Sequence, residues 1–299
     1  MRALLTVARA DGTLGELERQ MLTSVQRHIL RLDVELTELE EITPEALGAQ
    51  VTEPTFRERV VGGCVLMALI DGEPSEAELD QVKSYAKALE VSTGVLKNLN
   101  RLTQKRLLLA RFDIARRSFI GNKFREKLAN DGIRGIATVL KAMRFGDEKM
   151  AARYRTLESY PEGSLGREYA RFIRNQSFSF PGEKGSPPEL IMVHDCLHVL
   201  GGYETTPSEE VAIACFTAGF TKQDPFSTIL FIVAQFHLGL QITPSAEAFE
   251  MVVTPEALTK AIFRGSQVNV DLAENWDPWQ GDFDVPVDEL RRRYNVVPR

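Results

Sequence analysis

Cysteine is scarce in this sequence, and positive charge does not exceed negative charge. The three cysteines, Cys64, Cys196 and Cys215, form no Cys-x-x-Cys pair and no even set for a disulfide framework. We therefore expect a reducing compartment. The net charge of −6 and the isoelectric point near 5.5 argue against non-specific nucleic-acid binding as the main role. We predict no nucleic-acid partner.

Long apolar runs are also missing. Residues 1–12 reach charge and glycine too early for the apolar core of a signal peptide. The longest apolar run, residues 229–240, is too short to cross a bilayer and contains Gln235 and His237, so it predicts a buried helix. We expect a cytoplasmic protein, with a peripheral contact to the inner face of a membrane left open.

Extended alternation of apolar and polar residues is absent, whereas apolar residues at helical spacing recur along the chain. We therefore predict an all-α fold with two helical domains. The predicted domains cover residues 1–100 and 133–299, and a basic helix over 101–132 connects them.

An internal repeat lies within the first hundred residues. Residues 7–22 align with residues 67–82, and each copy is an apolar segment that ends at Asp-Gly before an acidic helix start. The matched positions are Asp11 and Asp71, Gly12 and Gly72, Glu16 and Glu76, and Glu18 and Glu78. The segment 1–100 carries 17 acidic and 10 basic residues, which accounts for the acidity of the whole chain.

This acidic segment resembles the TerB family of tellurite-resistance proteins, whose helical domains carry paired Asp-Gly turns followed by glutamates. The resemblance implies a divalent-cation site formed by Asp11, Glu16, Asp71 and Glu76. The alternative is that these acids only cap helices, and no EF-hand loop is present.

A basic segment follows the acidic one. Residues 101–127 contain nine Lys or Arg and two Asp or Glu, with apolar residues at helical spacing. The pattern predicts an amphipathic helix that docks onto the acidic domain or lies on an anionic membrane.

The strongest chemical signal is a group of histidines and acids in residues 191–220. A helix that begins near Glu189 and Leu190 places His194 and His198 on one face, one turn apart, so that two imidazoles can bind one metal ion. Asp195 lies about 100° around that helix, where it can join the ion at the edge of the face or orient an imidazole. Gly201 and Gly202 end the helix.

A second helix begins directly after this one. Thr206 is the predicted N-cap, Pro207 the first helical residue, and Glu209 the third position of a capping box. A short loop between the two helices brings Glu210 back towards the histidines as a third or fourth ligand. A hydrogen-bonded cluster without metal is the alternative. We interpret His28 and His237 as core histidines, and Cys196 and Cys215 as packing residues.

These residues resemble the motif of the coenzyme Q (ubiquinone) biosynthesis protein 4 family. The matching pattern is His-Asp-x-x-His, eleven residues, then Glu, with further similarity at 154–173 and 261–296. The resemblance covers residues 133–299 and implies that His194, Asp195, His198 and Glu210 are zinc ligands. It also implies an α-helical fold, an apolar cavity for a polyprenyl tail, and a peripheral membrane contact.

The family is needed for ubiquinone synthesis. It supports the biosynthetic complex and the ring step in which a hydroxyl replaces a carboxylate. By resemblance we expect a prenyl lipid or quinone precursor as ligand, and a homodimer or a biosynthetic complex as assembly. Three positions depart from the family pattern: Cys196 and Leu197 stand where an aromatic pair is common, and Glu209 stands where the family has glycine.

Three hypotheses for the metal follow. In the first, zinc or another divalent ion acts on the ring of a prenylated aromatic acid, as in a lyase or oxidative decarboxylase, and Asp195 is a ligand or a catalytic proton acceptor. In the second, four ligands saturate a structural zinc in a lipid-binding or scaffold protein. In the third, the protein is a metal-dependent hydrolase.

Overall fold

The structure, a computed structural model, describes residues 1–72, 74–92, 96–97, 119–222, 225–242 and 247–299. These residues form helices and no strand, and their extended pairings are the isolated bridges Ser164–Pro286 and Leu238–Glu250. The predicted all-α fold is confirmed. None of the described helices has both the length and the apolar character that a membrane crossing requires.

The α-helices follow one another along the chain with short 3₁₀ turns between some of them. They are α1 (Arg2–Ala8), α2 (Glu16–Ser24), α3 (Pro44–Gln50), α4 (Pro54–Met67), α5 (Glu76–Ala88), α6 (Phe119–Phe145), α7 (Glu148–Arg155), α8 (Leu165–Asn175), α9 (Met192–Gly201), α10 (Pro207–Phe220), α11 (Pro225–Phe236), α12 (Pro255–Ser266), α13 (Leu272–Asn275) and α14 (Val287–Arg293).

The chain divides into two compact units. One unit consists of Met1–Ala115 and Asp224–Phe263, and the other of Arg116–Gln223 and Arg264–Arg299. This division shows which residues pack together. It contains no information about how far each family resemblance extends along the chain. The predicted domains therefore stay a prediction.

Both copies of the repeat adopt the same local structure. Gly12 and Gly72 have positive φ angles of 91° and 88°, which end the first helix of each copy in a turn that glycine adopts without strain. The second helix of each copy, α2 or α5, begins with a capping box whose third-position glutamate accepts from the N-cap backbone N–H. The glutamates that cap are Glu18 and Glu78.

The four acids predicted to bind a cation in this region do not converge on one point. Asp11 accepts from the backbone and the hydroxyl of Thr13, and Glu16 contacts Gln20 and Arg19 on the surface of α2. Within the described residues, no three ligand atoms of Asp11, Glu16, Asp71 and Glu76 lie within 4.8 Å of one another. The cation site in the repeat stays a prediction.

The capping glutamates form a buried pair of carboxyl groups. Glu18 and Glu78 are only 6% and 3% exposed, and Oε1 of Glu78 has no hydrogen-bond partner. Burial raises the pKa of Glu18 to about 7, and the negative charges of Glu78 and Asp71 add to the shift. Burial also raises the pKa of Glu78. Between about pH 4.5 and pH 7 the pair therefore holds a proton that the unfolded chain has lost.

The apolar run of residues 229–240 forms α11 up to Phe236, and the helical part is buried as predicted. It packs on α4 so closely that a Cβ on Gly62 would lie 2.4 Å from the ring of Phe226. His237 is a core histidine whose Nε2 contacts the carbonyl of Ile70 at 2.7 Å. His28 differs from the prediction, because it is half-buried and its Nε2 has no hydrogen bond.

The second unit is built on an aromatic core. Tyr154, Tyr169 and Phe180 are fully buried, and the edge of Trp279 packs on Tyr154 with 5.3 Å between ring centroids. The hydroxyl of Tyr154 donates to Oε1 of Glu189 at 2.9 Å, just before α9. This core supports the start of the helix that carries both site histidines.

The predicted basic helix 101–132 falls largely outside the described residues, which resume at Phe119 in α6. The described part of α6 is interrupted at Gly132, whose φ and ψ of 65° and −165° are not helical. The docking of this helix onto the acidic domain stays a prediction.

The buried carboxyl pair predicts how stability depends on pH. Because the pKa of Glu18 is raised in the folded state, its contribution is fully present below the unfolded pKa near 4.5 and is lost as the pH rises through about 7. Glu18→Gln keeps an oxygen for the N–H of Gly15 and supplies a donor to Glu78. We expect it to raise the free energy of unfolding at pH 8 by on the order of 1–3 kcal/mol, and to have little effect at pH 4.5.

The measurement is urea unfolding followed by circular dichroism at both pH values. Glu16→Gln is the matched control, since this glutamate is exposed on the same first turn. A Glu18→Gln variant that is less stable than the control at pH 8 would contradict the prediction.

Candidate metal centre

The helix α9 is started by prolines and ended by glycine. Pro188 precedes a 3₁₀ turn over Glu189–Ile191, and the α-helix continues from Met192 to Gly201. Gly202 adopts a left-handed conformation with φ 70°, and its N–H bonds to the carbonyl of His198. The predicted start and end of this helix are both confirmed.

The start of α10 was also predicted correctly, except for the role of Glu209. The hydroxyl of Thr206 accepts from the N–H of Glu209, and Pro207 occupies the first helical position. The carboxylate of Glu209 instead accepts from the N–H of Glu204 and forms a bidentate pair with Arg299, with both N–O distances at 2.7 Å. The loop of residues 202–206 is short, so the first turn of α10 returns to α9.

Three of the four predicted ligands come together in this structure. Nε2 of His194 lies 3.1 Å from Nε2 of His198. The carboxylate of Glu210 reaches both rings, with Oε2 3.5 Å from Nε2 of His194 and Oε1 3.5 Å from Nε2 of His198. Within the part of the chain that the structure describes, this is the one place where three ligand atoms of His, Cys, Asp or Glu lie within 4.8 Å. The group can hold a metal ion.

The distances fit a small tetrahedral ion. Ligands bound to zinc at about 2.1 Å in tetrahedral directions stand about 3.4 Å from one another. The three separations of 3.1, 3.5 and 3.5 Å lie close to that value. Two imidazoles and one carboxylate are also a donor set that zinc prefers.

The ring of His198 is held at Nδ1, the nitrogen that does not face the other two side chains. Its Nδ1 lies 3.2 Å from the carbonyl of Tyr203, a contact in which Nδ1–H donates and leaves the Nε2 lone pair towards the group. The ring of Phe172, on α8, stacks on the imidazole with 5.4 Å between centroids. His198 is therefore held in one orientation and one tautomer.

The electrostatics favour the protonation states that a metal needs in two of the three groups, His198 and Glu210. Burial and the charge of His194 lower the pKa of His198 to about 4, so its ring is neutral at pH 7. Burial raises the pKa of Glu210, but hydrogen bonding and charge from the two histidines outweigh it and the net shift is downward. Burial lowers the pKa of His194, but Glu210 and Asp195 raise it more. Glu210 is therefore an ionised carboxylate beside the neutral imidazole of His198, whereas His194 is more readily protonated than a free histidine.

Asp195 lies next to this group but is not part of it. No oxygen of its carboxylate belongs to the set of atoms within 4.8 Å. Burial raises the pKa of Asp195 to about 7, His194 opposes the shift, and the charge of Glu210 adds to it. Its predicted roles as a zinc ligand and as a catalytic residue stay predictions.

The C-terminal end of α9 is held by arginines. Arg291 donates from Nη2 to the carbonyl of Val199 and from Nε to that of Leu200, at 3.2 and 3.0 Å. Arg264 and Arg299 donate to the next two carbonyls, those of residues 201 and 202, at 2.8 and 2.9 Å. With His198 on the carbonyl of Tyr203, five consecutive carbonyls have donors. These bonds fix the end of the helix that carries both imidazoles.

Sequence reasoning missed these arginines and the buried hydroxyl of Tyr169. The signal for the arginines was present in the basic run of residues 291–293 and in Arg299, which stand near the end of a region that resembles a known family. The hydroxyl of Tyr169 has no hydrogen-bond partner, and burial together with the charge of Asp195 raises its pKa. Cys196 and Cys215 are fully buried packing residues, as predicted.

Comparisons with solved structures give a distant likeness. No family model matches the chain, and no curated protein matches it. A solved structure from Nostoc punctiforme, named as a candidate ubiquinone biosynthesis protein, aligns with 79% of this chain and 96% of its own, at 18% identity and a TM-score of 0.34. So distant a likeness carries no information about the ligands or the reaction of this chain.

The group of His194, His198 and Glu210, called the triad from here on, predicts a metal site that needs each of its three members. His198→Ala removes one of three ligand atoms, so we expect the variant to lose most of its zinc after dialysis, whereas the native chain keeps about one ion. Elemental analysis of the purified full-length protein measures the content. His28→Ala is the control, because His28 is a half-buried histidine outside the group. Full zinc occupancy in His198→Ala would refute the site.

The arginine contacts predict a stability effect at one position and none at its neighbour. Arg291→Gln loses charged donors to two helix carbonyls, which we expect to cost about 1.5–3 kcal/mol in the free energy of unfolding. Arg292→Gln removes the same charge from an exposed side chain, and we expect a change within about 0.5 kcal/mol. Urea unfolding in Tris buffer compares the two variants. Equal midpoints would show that Arg291 does not stabilise α9.

Proposed function

We propose that the protein binds zinc through His194, His198 and Glu210 and acts on a prenylated aromatic acid, a precursor of a quinone. The observation that carries the proposal is the triangle of ligand atoms with sides of 3.1, 3.5 and 3.5 Å. The resemblance of this motif to the ubiquinone biosynthesis family supports the choice of substrate class. Asp195 is the candidate proton acceptor beside the triad.

Three gathered ligands favour an open site over a structural one. Structural zinc sites have four protein ligands, whereas catalytic sites use three and keep a position for water or substrate. When bound, the ion would polarise a carboxylate or carbonyl oxygen of the substrate. The protein holds the imidazole of His198 through Tyr203 and keeps Glu210 ionised.

An aromatic surface lies against one ligand and supports an apolar substrate. Phe172 stacks on His198, and Phe178 packs on Phe172 with 6.4 Å between centroids while remaining 44% exposed. These two rings run from solvent to the triad. The buried face of α10, over residues 211–220, lies in the same unit and is a further candidate wall for a prenyl tail.

In the proposed reaction, the bond between the ring and its carboxylate breaks and carbon dioxide leaves. A new bond forms between that ring carbon and oxygen, and dioxygen is the oxidant that supplies the oxygen atom. The second oxygen atom leaves as water, with two protons from solvent and two electrons from a reduced flavin or nicotinamide, so that one acid and one dioxygen give one hydroxylated ring, one carbon dioxide and one water.

The test uses the full-length zinc protein with a short-chain prenylated hydroxybenzoic acid under ¹⁸O₂, with a reduced flavin or nicotinamide as the two-electron donor. We expect mass spectrometry to detect a product with ¹⁸O in the new hydroxyl. Glu210→Gln, which keeps the size of the side chain but removes its charge, should lose at least about 100-fold in rate. Glu274→Gln serves as the control, because Glu274 is an exposed glutamate of the same unit. Binding of the acid without turnover would favour the lipid-binding scaffold. Absence of both binding and turnover would refute the quinone proposal, and hydrolysis of an ester analogue would favour the hydrolase.

A further inference from the structure

A second candidate site lies at the C-terminal end of α9. A pocket of about 630 Å³ is lined by Gly201 and Gly202, by Arg264 and by residues of the C-terminal segment 288–299. This volume lies within the range of about 300–1,000 Å³ for small-molecule sites. Neither the triad nor the proposed reaction uses this pocket.

Four guanidinium groups line the pocket, and two of them have carboxylate partners. Arg291 pairs with Asp288 at 2.9 Å, and Arg299 pairs with Glu209 at 2.7 Å. Arg264 and Arg292 form no ion pair with any described residue. The pocket therefore carries an excess of positive charge.

Of the two arginines without a carboxylate partner, Arg264 is the more unusual because it is buried. It is only 8% exposed, and its hydrogen bonds go to the carbonyls of Val297 and Gly201. The rings of Tyr203 and Phe216 lie 5.2 and 5.0 Å from its Cζ. Carbonyl dipoles and ring faces stabilise a cation only in part, so a buried guanidinium without an anion remains costly.

We propose that this pocket binds the phosphate group of a small phosphorylated molecule, with Arg264 and Arg292 as its charge partners. A phosphate monoester carries a charge of about −1.5 to −2 at neutral pH, which matches two unpaired guanidiniums better than the single charge of a carboxylate does. Guanidinium groups bind phosphate oxygens in a bidentate manner. The remaining volume of the pocket accommodates the substituent on the phosphate.

Isothermal titration calorimetry of the full-length protein with inorganic phosphate and with pyrophosphate tests the proposal. We expect saturable binding of one anion per chain, and a loss of about tenfold or more in affinity for Arg292→Gln. Arg134→Gln is the matched control, because Arg134 is an exposed arginine of the same unit outside the pocket. Potassium chloride at equal ionic strength controls for screening.

Two outcomes would overturn the proposal: no saturable binding of either anion, or the same affinity in Arg292→Gln and Arg134→Gln. Because Arg292 is exposed, its replacement is not expected to unfold the chain, and circular dichroism verifies this. Succinate is added as a competitor. Displacement of pyrophosphate by succinate at equal concentration would assign the pocket to carboxylates and contradict the phosphate class.

Phosphate monoesters occur both in free metabolites and in lipid headgroups. Glycerol phosphate in solution and phosphatidylcholine vesicles containing phosphatidic acid distinguish the two sources. Binding of glycerol phosphate that Arg292→Gln weakens supports a soluble ligand. Co-sedimentation with the vesicles that the same variant abolishes, without binding of glycerol phosphate, supports a phosphate monoester presented by a membrane.

Discussion

The capping of one helix end by side chains distant in sequence determines the candidate metal centre. The last carbonyls of an α-helix have no partners within the helix. In α9 those carbonyls receive guanidinium donors from Arg264, Arg291 and Arg299, and the following carbonyl receives Nδ1–H of His198. One ligand imidazole is thus part of the cap. The orientation of that ring towards Glu210 therefore depends on the same loop backbone that the arginines hold.

The environments of Glu210 and Glu18 have opposite effects on the protonation of a carboxyl group. Glu210 faces two imidazoles, and their hydrogen bonding and charge keep its pKa below the ordinary value despite burial. Glu18 faces another carboxyl group, so burial and repulsion act in the same direction and raise its pKa to about 7. The first arrangement favours a cation, and the second favours a shared proton. Glutamate is therefore a candidate metal ligand in one unit and a helix cap in the other.

Local signals were sufficient to predict the fold class and most of the triad. The spacing of His194 and His198, the glycines after them and the N-cap at Thr206 act over a few residues, so each could be found in the sequence. The contacts of Arg264 and Arg291 with α9 join residues 63 and 91 positions apart. The spacing of apolar residues along a helix contains no information about contacts at such separations. The repeat predicted that Glu18 and Glu78 occupy equivalent positions. It did not predict that their carboxyl groups are buried, because that depends on how the two helices pack.

The separation of Asp195 from the triad follows from helix geometry. Residues four apart on an α-helix share a face, whereas adjacent residues point about 100° apart. When both imidazoles of α9 turn towards the first turn of α10, the side chain at position 195 must point to a neighbouring sector, where it is partly buried beside α8 and influences Tyr169. The third candidate ligand therefore comes from the next helix, and the short capped loop places Glu210 there. A motif of four polar residues thus divides into three that converge and one neighbour, and three such groups would leave one position of a tetrahedral ion open.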